Sequence, residues 1–271
     1  MQEILSELPP NSLVLDLGCD QGSFDSSAFP RCLCIRVDLE KPHGDESALF
    51  VQADAAKLPF RNAVFDAVIC NHSLEHFPEL EHSLSEIGRS LKPTGAFFAS
   101  VPDSSSITDK FYRWLGKGGG HVNQIANVRE FVAKVESQTH LRCCGVRVLL
   151  TSLSFLNCKS PTARPMRTMV ELGVNFEPLL AVLTWFMRNF DRVFGTRMSL
   201  SGWLLYFGTI AKRIDEQTWG NMCVRCGSAH SSTYLLRSGV VVKWTVPRRY
   251  HCPSCGATNL FTPDNAVQGI R

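Results

Sequence analysis

Val14-Leu15-Asp16-Leu17-Gly18-Cys19-Asp20-Gln21-Gly22 decides how this 271-residue chain is read. An apolar run ending in a glycine-bearing turn is a strand that leads into a tight loop and then a helix start. In open α/β sheets, ligands sit at that place, outside the carboxyl ends of the strands. Four more apolar runs follow Ser12–Leu17, at 32–37, 50–53, 64–70 and 96–101. Near-continuous runs of this length suit strands buried on both faces of a parallel sheet. Between the last two, Leu80, Leu84, Ile87 and Leu91 recur at helical spacing, with Pro78 ahead and Lys92-Pro93-Thr94-Gly95 behind. Such alternation predicts a doubly wound α/β sheet. Residues 128–137 read as a further helix, 142–150 as a sixth strand and 203–211 as a last one, with Tyr206 and Phe207 in the core.

The loop chemistry separates two ligand classes. A dinucleotide fold needs G-x-G-x-x-G, with backbone amides facing a pyrophosphate. That pattern is missing, and Asp16 and Asp20 flank the turn, where carboxylates repel a pyrophosphate. They suit a ligand with positive charge and no phosphate. S-adenosylmethionine, with its sulfonium and ammonium, is such a ligand. Asp38 ends the second strand, where a carboxylate can accept from two ribose hydroxyls. Asp54, after the third strand, can accept from an exocyclic adenine amine.

Residues 12–101 resemble the class I S-adenosylmethionine-dependent methyltransferases, in particular the type 11 group that includes quinone-biosynthesis methyltransferases. The carrying stretches are Asp16-Leu17-Gly18-Cys19-Asp20-Gln21-Gly22, Val37-Asp38, Ala53-Asp54-Ala55 with Leu58-Pro59-Phe60, Phe65-Asp66-Ala67-Val68-Ile69-Cys70, Leu74-Glu75-His76, and Leu91-Lys92-Pro93-Thr94-Gly95. Their order and spacing make the signal specific. The resemblance implies a Rossmann-like, mostly parallel sheet of seven strands and an enzyme that transfers a methyl group. It implies that Asp16, Gly18, Cys19 and Gly22 hold the methionine end of the cofactor. Asp38 would bind ribose, with Leu39 against the adenine, Asp54 and Ala55 reading the adenine edge, and Asn71 lining the cofactor and substrate mouth. One residue departs from the family. Asp20 stands where the family usually has glycine, and a side chain there narrows the loop.

Methyl transfer is an in-line displacement with a neutral thioether leaving, so catalysis is largely positioning and exclusion of water. A base is needed only if the acceptor must lose a proton. His72 and His76 after the fourth strand, and His121 after the loop Lys117-Gly118-Gly119-Gly120, are the candidates. The alternative for each is a hydrogen-bonded structural or surface histidine. Methylases of base amines carry an Asn/Asp-Pro-Pro-aromatic turn where this chain reads Asn71-His72-Ser73-Leu74. A small-molecule, lipid-like or glycan acceptor is therefore expected.

The C-terminal segment differs in kind. Residues 212–271 hold 8 Lys/Arg against 3 Asp/Glu, a net of +5, while residues 1–211 net −2. Cys223-Val224-Arg225-Cys226-Gly227 and Cys252-Pro253-Ser254-Cys255-Gly256 form two knuckles, with strand-like 233–236 and 240–246 between them. The pattern resembles a zinc ribbon, in which Cys223, Cys226, Cys252 and Cys255 give a closed, structural zinc site. His230 and His251 neighbour it but are not needed as ligands. Expected domains are 1–214, with a mostly helical insertion over about 157–200, and a ribbon at 215–271. That insertion suits a lid over a greasy substrate, a membrane or partner surface, or helices that simply pack on the sheet. The basic residues Arg225, Arg237, Lys243, Arg248 and Arg249 leave two readings of the ribbon, an RNA- or protein-binding adaptor and a solvated basic face. The adaptor reading would direct methylation to a macromolecule, or sit beside a degenerate methyltransferase domain.

Composition bounds the rest. Hydrophobic residues make up 44% and charged residues 20%, which excludes a disordered chain and a coiled coil. The start, MQEILSELPP, is acidic and lacks an apolar core, so no secretory signal is expected. No apolar run reaches the roughly 18 residues of a membrane span. The richest, 176–187, includes Glu177 and reads as a core or interfacial helix. With eleven cysteines and no secretory signal, a reducing, cytoplasmic setting is expected over a disulfide framework.

Overall fold

The computed structural model describes residues 1–41, 49–115, 120–157, 159–160, 177–211, 214–242 and 244–264. Lys117, Gly118, Gly119, Cys158, Phe176, Lys243 and most of the N-terminal half of the expected insertion lie outside them. The first elements are α1 (Gln2–Leu5), β1 (Ser12–Leu17), β2 (Cys32–Asp38), β3 (Phe50–Gln52), β4 (Phe65–Asn71), α2 (Leu80–Ser90) and β5 (Leu91–Pro102). Then come α3 (Ile107–Leu115), α4 (Val128–Thr139), β6 (Cys143–Leu150), α5 (Glu177–Phe194) and β7 (Leu200–Gly208). Seven strands form one sheet in the order β3-β2-β1-β4-β5-β7-β6. The pairs β1/β2, β2/β3, β1/β4 and β4/β5 are parallel. This is the expected Rossmann-like, mostly parallel sheet of seven strands.

The apolar runs explain the central strands. Val14, Leu15, Ala67, Val68, Ile69, Phe97 and Ala99 are fully buried, as strands covered on both faces require. Truncating one such Leu or Ile to Ala costs about 2–5 kcal/mol. Leu80, Leu84 and Ile87 form the buried stripe of α2. Tyr206 and Phe207 are buried, as their place on the last strand implied. The chain leaves β1 toward β2 on one side and returns to β4 on the other. The switch point of the sheet therefore lies between β1 and β4, which places a ligand crevice at their carboxyl ends.

Three expectations need correction. No α-helix follows the glycine loop. Only a 3-10 turn, Ser26–Ala28, separates it from β2. The Asp25 carboxylate accepts from the Ser27 amide (2.9 Å) and hydroxyl (2.6 Å), a local bond that competes with helix formation. Pro30, which has no N–H, follows. Residues 233–236 are not a strand but lie in α6 (Ser232–Arg237), whose N-cap Ser231 accepts from the Tyr234 amide. The strand expected over 240–246 shrinks to β10 (Val241–Val242). In addition, α5 runs on past Met187 to Phe194, and β5 begins five residues early. The Lys92-Pro93-Thr94-Gly95 stop signal falls inside β5, where Phe65 pairs with Leu91 but Ala67 pairs with Ala96.

Two compact units divide the chain. One comprises Met1–Ser104, Gly120–Arg147 and Trp203–Glu216, the other Ser105–Gly119, Val148–Gly202 and Gln217–Arg271. The first holds β1 to β5 and the candidate ligand crevice. The second holds the cysteine knuckles together with α3 and α5. Its small strands are β8 (Asn221–Met222) and β9 (Ala229–His230), paired with each other, and β10, β11 (Arg249–His251) and β12 (Thr258–Leu260). Its interior packs Leu153, Leu180, Ala181 and Val224 together. Arg225 donates to both carboxylate oxygens of Glu177 on α5, at 2.8 and 3.1 Å from Nη2. Arg225 is thus an internal ion-pair partner, whereas Arg237, Arg248 and Arg249 are exposed. On its outer side α5 exposes Leu179, Val182, Leu183, Phe186, Val193 and Phe194. Among the described residues, no helix is long and apolar enough to cross a membrane.

Candidate functional site

Beyond the carboxyl end of β1, the chain turns at Gly18, whose φ is +67°. A Cβ there would lie 2.5 Å from the Ser73 Cβ, so only glycine admits this approach. Ser73 follows β4 and donates from its hydroxyl to the Leu17 carbonyl at 2.9 Å. The loops after β1 and β4 are thereby locked together at the switch point. Gly22, at φ +107°, lies under Arg36 of β2, because a Cβ built on it would be 2.7 Å from Arg36 Nη2. Asp20 also has a left-handed backbone (φ +43°), in a position where glycine would be unstrained.

The amides of this loop are spent inside the protein. Gly18 N and Cys19 N point at the Val37 carbonyl (2.8 and 3.3 Å), and Gly22 N donates to Cys19 O (2.6 Å). Asp20 N donates to Asp38 Oδ2 and Ser23 N to Asp16 Oδ2, both at 2.8 Å. A pyrophosphate would need those N–H groups, so a dinucleotide site is excluded on geometry as well as on motif. The loop presents acceptors instead.

Asp16 is fully buried, and its Oδ1 has no hydrogen-bond partner among the described residues. Burial raises its pKa from 3.8 to about 6, against the Ser23 hydrogen bonds and the Arg36 charge, which pull it down. Cys19, also buried, has its thiol pushed up to about 12 by burial and the nearby Asp16 and Asp38 charges. It serves this loop as backbone, not as a nucleophile. Asp38 is half-buried and accepts from the amides of Asp20 and Leu39, each at 2.8 Å. Its own carbonyl accepts from Ala53 N (3.0 Å), which draws the end of β3 to the same edge. Beyond it, Asp54 is exposed and accepts from Ala56 N at 2.9 Å, and Ala55 is buried. Leu39 is exposed, and Asn71 ends β4 half-buried, level with Ser100.

The three histidines gather past β4. His72 has a left-handed backbone (φ +54°). Its Nε2 lies 3.0 Å from Ser100 Oγ and its Nδ1 3.5 Å from Glu75 Oε1. His76 Nδ1 lies 3.0 Å from the Gly120 carbonyl, and its ring meets that of His121 edge-on at 4.9 Å. Three contributors escaped sequence reasoning. Arg36 carried a signal, as the one charge inside the apolar run 32–37. Ser73 and Glu75 carried none, since their roles come from burial and neighbours.

In the second unit the four knuckle sulfurs lie within 4.8 Å of one another. Cys223 and Cys255 Sγ are 3.5 Å apart, and Cys226 and Cys252 Sγ 3.7 Å. A tetrahedron with metal–sulfur bonds of about 2.3 Å has edges of about 3.8 Å, so the spacing fits zinc. Gly227 and Gly256 N donate to Cys223 O and Cys252 O, closing each knuckle. His230 Nε2 lies 3.4 Å from Cys252 Sγ. Leu235, Tyr250, Ala257 and Phe261 pack around the sulfurs.

Residues 15–99 match the family described as methyltransferase domain. The chain is 27% identical over 144 residues to the malonyl-[acyl-carrier protein] O-methyltransferase of Methylococcus capsulatus, covering 48% of this chain and 52% of that protein. It is 32% identical over 108 residues to the 27-O-demethylrifamycin SV methyltransferase of Amycolatopsis mediterranei, covering 38% and 36%. The chain thus spans about half the length of the first relative and about a third of the second. Among solved structures, a Galdieria sulphuraria protein proposed to be a sarcosine dimethylglycine methyltransferase superposes with a TM-score of 0.50 at 14% identity, covering 75% of this chain and 80% of that one. That likeness concerns the fold.

Proposed function

We propose that this chain, which carries a class I S-adenosylmethionine-dependent methyltransferase domain at residues 15–99, methylates an oxygen of a small or lipid-like acceptor. The observation that carries this reading is the acceptor-rich loop at the switch point, with the orphaned Oδ1 of buried Asp16 in its floor. The donor set fits the cofactor. Carboxylates at Asp16, Asp38 and Asp54 suit a cationic nucleoside without phosphate, and no amide cradle competes for a phosphate. When bound, S-adenosylmethionine supplies an electrophilic methyl group. Asp16, Gly18, Cys19 and Gly22 would hold its methionine end, and Asp38 and Leu39 its ribose and adenine. Asp54 and Ala55 would meet the adenine edge, and Asn71 would line the mouth. His72, His76 and His121, which lie past the end of β4, are the candidate bases for a proton leaving an oxygen acceptor. Support for an oxygen acceptor comes from the names of the two relatives, each of which denotes methylation at oxygen. Titration calorimetry tests the reading. S-adenosylmethionine should give saturable heat and NAD none; silence with the first, or binding of the second, rejects it.

Residues 1–214 would form the catalytic domain and 215–271 the ribbon, with one structural zinc on Cys223, Cys226, Cys252 and Cys255. For the ribbon, one observation favours contact with single-stranded RNA. Trp244 is 95% exposed and Val246 fully so, beside exposed Arg248 and Arg249. An exposed indole among cations suits stacking on unpaired bases. Tryptophan fluorescence against oligonucleotides, with Trp244→Phe and Trp244→Ala compared by anisotropy, should show roughly tenfold weaker binding for the alanine variant only. Equal binding by the alanine variant discards this second reading.

A further inference from the structure

We propose that Glu75, His76 and His121 bind one divalent transition-metal cation, at a site separate from the four-cysteine cluster. Each side chain offers one ligand atom, and the three atoms lie within 4.8 Å of one another. Two imidazoles and one carboxylate are the donors that borderline cations such as Mn²⁺, Fe²⁺, Co²⁺ and Zn²⁺ take in open sites.

Glu75 supplies the first ground. It is 1% exposed, and its Oε2 has no hydrogen-bond partner among the described residues. A buried carboxylate oxygen left without a donor is costly, and a cation relieves it. His76 supplies the second. Its Nδ1 faces the Gly120 carbonyl at 3.0 Å, so Nδ1 carries the proton and Nε2 keeps its lone pair. Metal-ligating histidines are oriented by such a carbonyl behind them. The third ground is the frame. The Glu75 carbonyl accepts from Val122 N (2.9 Å) and Asn123 N (3.0 Å). Asn123 Nδ2 donates to the carbonyls of Leu74 (3.0 Å) and Phe77 (2.7 Å). These four bonds fix the His121 segment to the turn that carries Glu75 and His76, although some 45 residues separate them in the chain. Metal bonds of about 2.1 Å need ligand atoms about 3–3.5 Å apart. Loading therefore draws the three ligand atoms closer together.

The consequence for chemistry rests on the methyl-transfer reading. Three protein ligands leave positions at which an acceptor hydroxyl can bind. Held there, the hydroxyl loses its proton to solvent. Its oxygen forms the new O–C bond with the methyl group of S-adenosylmethionine, and the C–S electron pair stays on the departing thioether sulfur. With the cation bound, His76 and His121 serve as its ligands, and of the three candidate bases His72 alone stays outside the ligand set.

The test uses the full chain with its zinc in place and Mn²⁺ as probe, since thiolates hold this harder ion poorly. Electron paramagnetic resonance of the unbound ion should show one Mn²⁺ taken up per chain. His76→Ala and His121→Ala should each weaken uptake at least tenfold, with zinc content unchanged. Glu75→Gln should do the same, with circular dichroism to check its fold; if it fails to fold, the exposed His76 variant decides. A wild-type chain that takes up no Mn²⁺, or histidine variants that bind it as tightly, overturns the site. A parallel titration with S-adenosylmethionine separates the two readings. Mn²⁺ uptake without cofactor binding keeps the cation site and rejects methyl transfer, and cofactor binding without Mn²⁺ uptake does the reverse.

Discussion

Asp16→Asn should make the ligand-free protein more stable at neutral pH while abolishing cofactor binding. Asp16 is fully buried, and burial raises its pKa from 3.8 to about 6. At 1.36 kcal/mol per unit, a shift of about two units makes the ionised carboxylate cost about 3 kcal/mol. The sign follows from proton counting. The folded pKa lies above the unfolded one, so between about pH 4 and 6 the folded chain holds more protons than the unfolded chain. Stability falls as pH rises through that window, and the full cost is present above about pH 6. The asparagine amide can still accept from Ser23 N. Like the protonated acid, it leaves one polar edge unpartnered, so that penalty cancels in the comparison. The variant should melt roughly 6–12 °C above wild type at pH 7.5, and the gap should close toward pH 4. Thermal scans across that pH range in 0.15 M salt, without cofactor, measure it. S-adenosylmethionine should stabilise wild type and leave the variant unmoved. Wild-type affinity should fall about tenfold per unit below pH 6, because binding a cation requires the carboxylate ionised. A variant less stable than wild type at pH 7.5, with a gap that persists at pH 4, refutes the reasoning.

Gly18→Ala should destabilise by roughly 2–5 kcal/mol, from the left-handed backbone and the collision with Ser73, and a denaturant midpoint equal to wild type would count against the loop lock. Metal analysis should give about one zinc per chain, lost in Cys252→Ser with Cys255→Ser, together with the burial of Tyr250 beside the sulfurs. A metal-free wild type that keeps Tyr250 buried would show that the knuckles close without a cation. Arg36→Met should weaken S-adenosylmethionine at least tenfold yet leave methylthioadenosine, which has no carboxylate, within about twofold. An equal loss for both ligands would mean that Arg36 supports only the loop's shape.

Much of the sheet was legible because buried parallel strands leave an unmistakable record. Val14, Leu15, Val68 and Ile69 have nowhere to put a polar atom, and the residue types say so. The acids were legible for a related reason. A charge at the carboxyl end of an apolar strand must be solvated, paired or used, and Asp16 and Asp38 stand at those ends. What failed was local. Residues 233–236 (Thr-Tyr-Leu-Leu) have strand-like composition, yet the Ser231 hydroxyl caps the Tyr234 amide and starts a helix. The strand and glycine turn promised a helix start after Gly22, but Asp25 and Ser27 closed a turn on themselves before one could propagate. Glu75 could not be singled out within Leu74-Glu75-His76, because its weight comes from being buried with an oxygen left over.

The missing helix changes the electrostatics of the loop. In nucleotide-binding α/β sheets, the helix after the first strand contributes free amides and the positive end of its dipole, which settle negative charge on the ligand. Here the three-residue turn Ser26–Ala28 can supply no such dipole, and the amides of Gly18, Cys19, Asp20, Gly22 and Ser23 are already engaged. A zwitterionic amino-acid end would therefore meet a loop rich in acceptors and poor in backbone donors. In the proposed site its ammonium would meet the acids, but its carboxylate would find no backbone donor among those amides. In the proposed site, the compensating charge would come from Arg36 on the neighbouring strand, packed over Gly22, where any larger residue would displace it. The same guanidinium pulls down the pKa of Asp16, so it favours the ionised acid beneath the loop. Asp20 fits this arrangement, because its amide, held in the left-handed region, is the donor that locks Asp38. An aspartate at that position therefore leaves Asp16 and Asp38 in place, and in the proposed site a side chain, Arg36, would do what a helix dipole does in nucleotide-binding sheets.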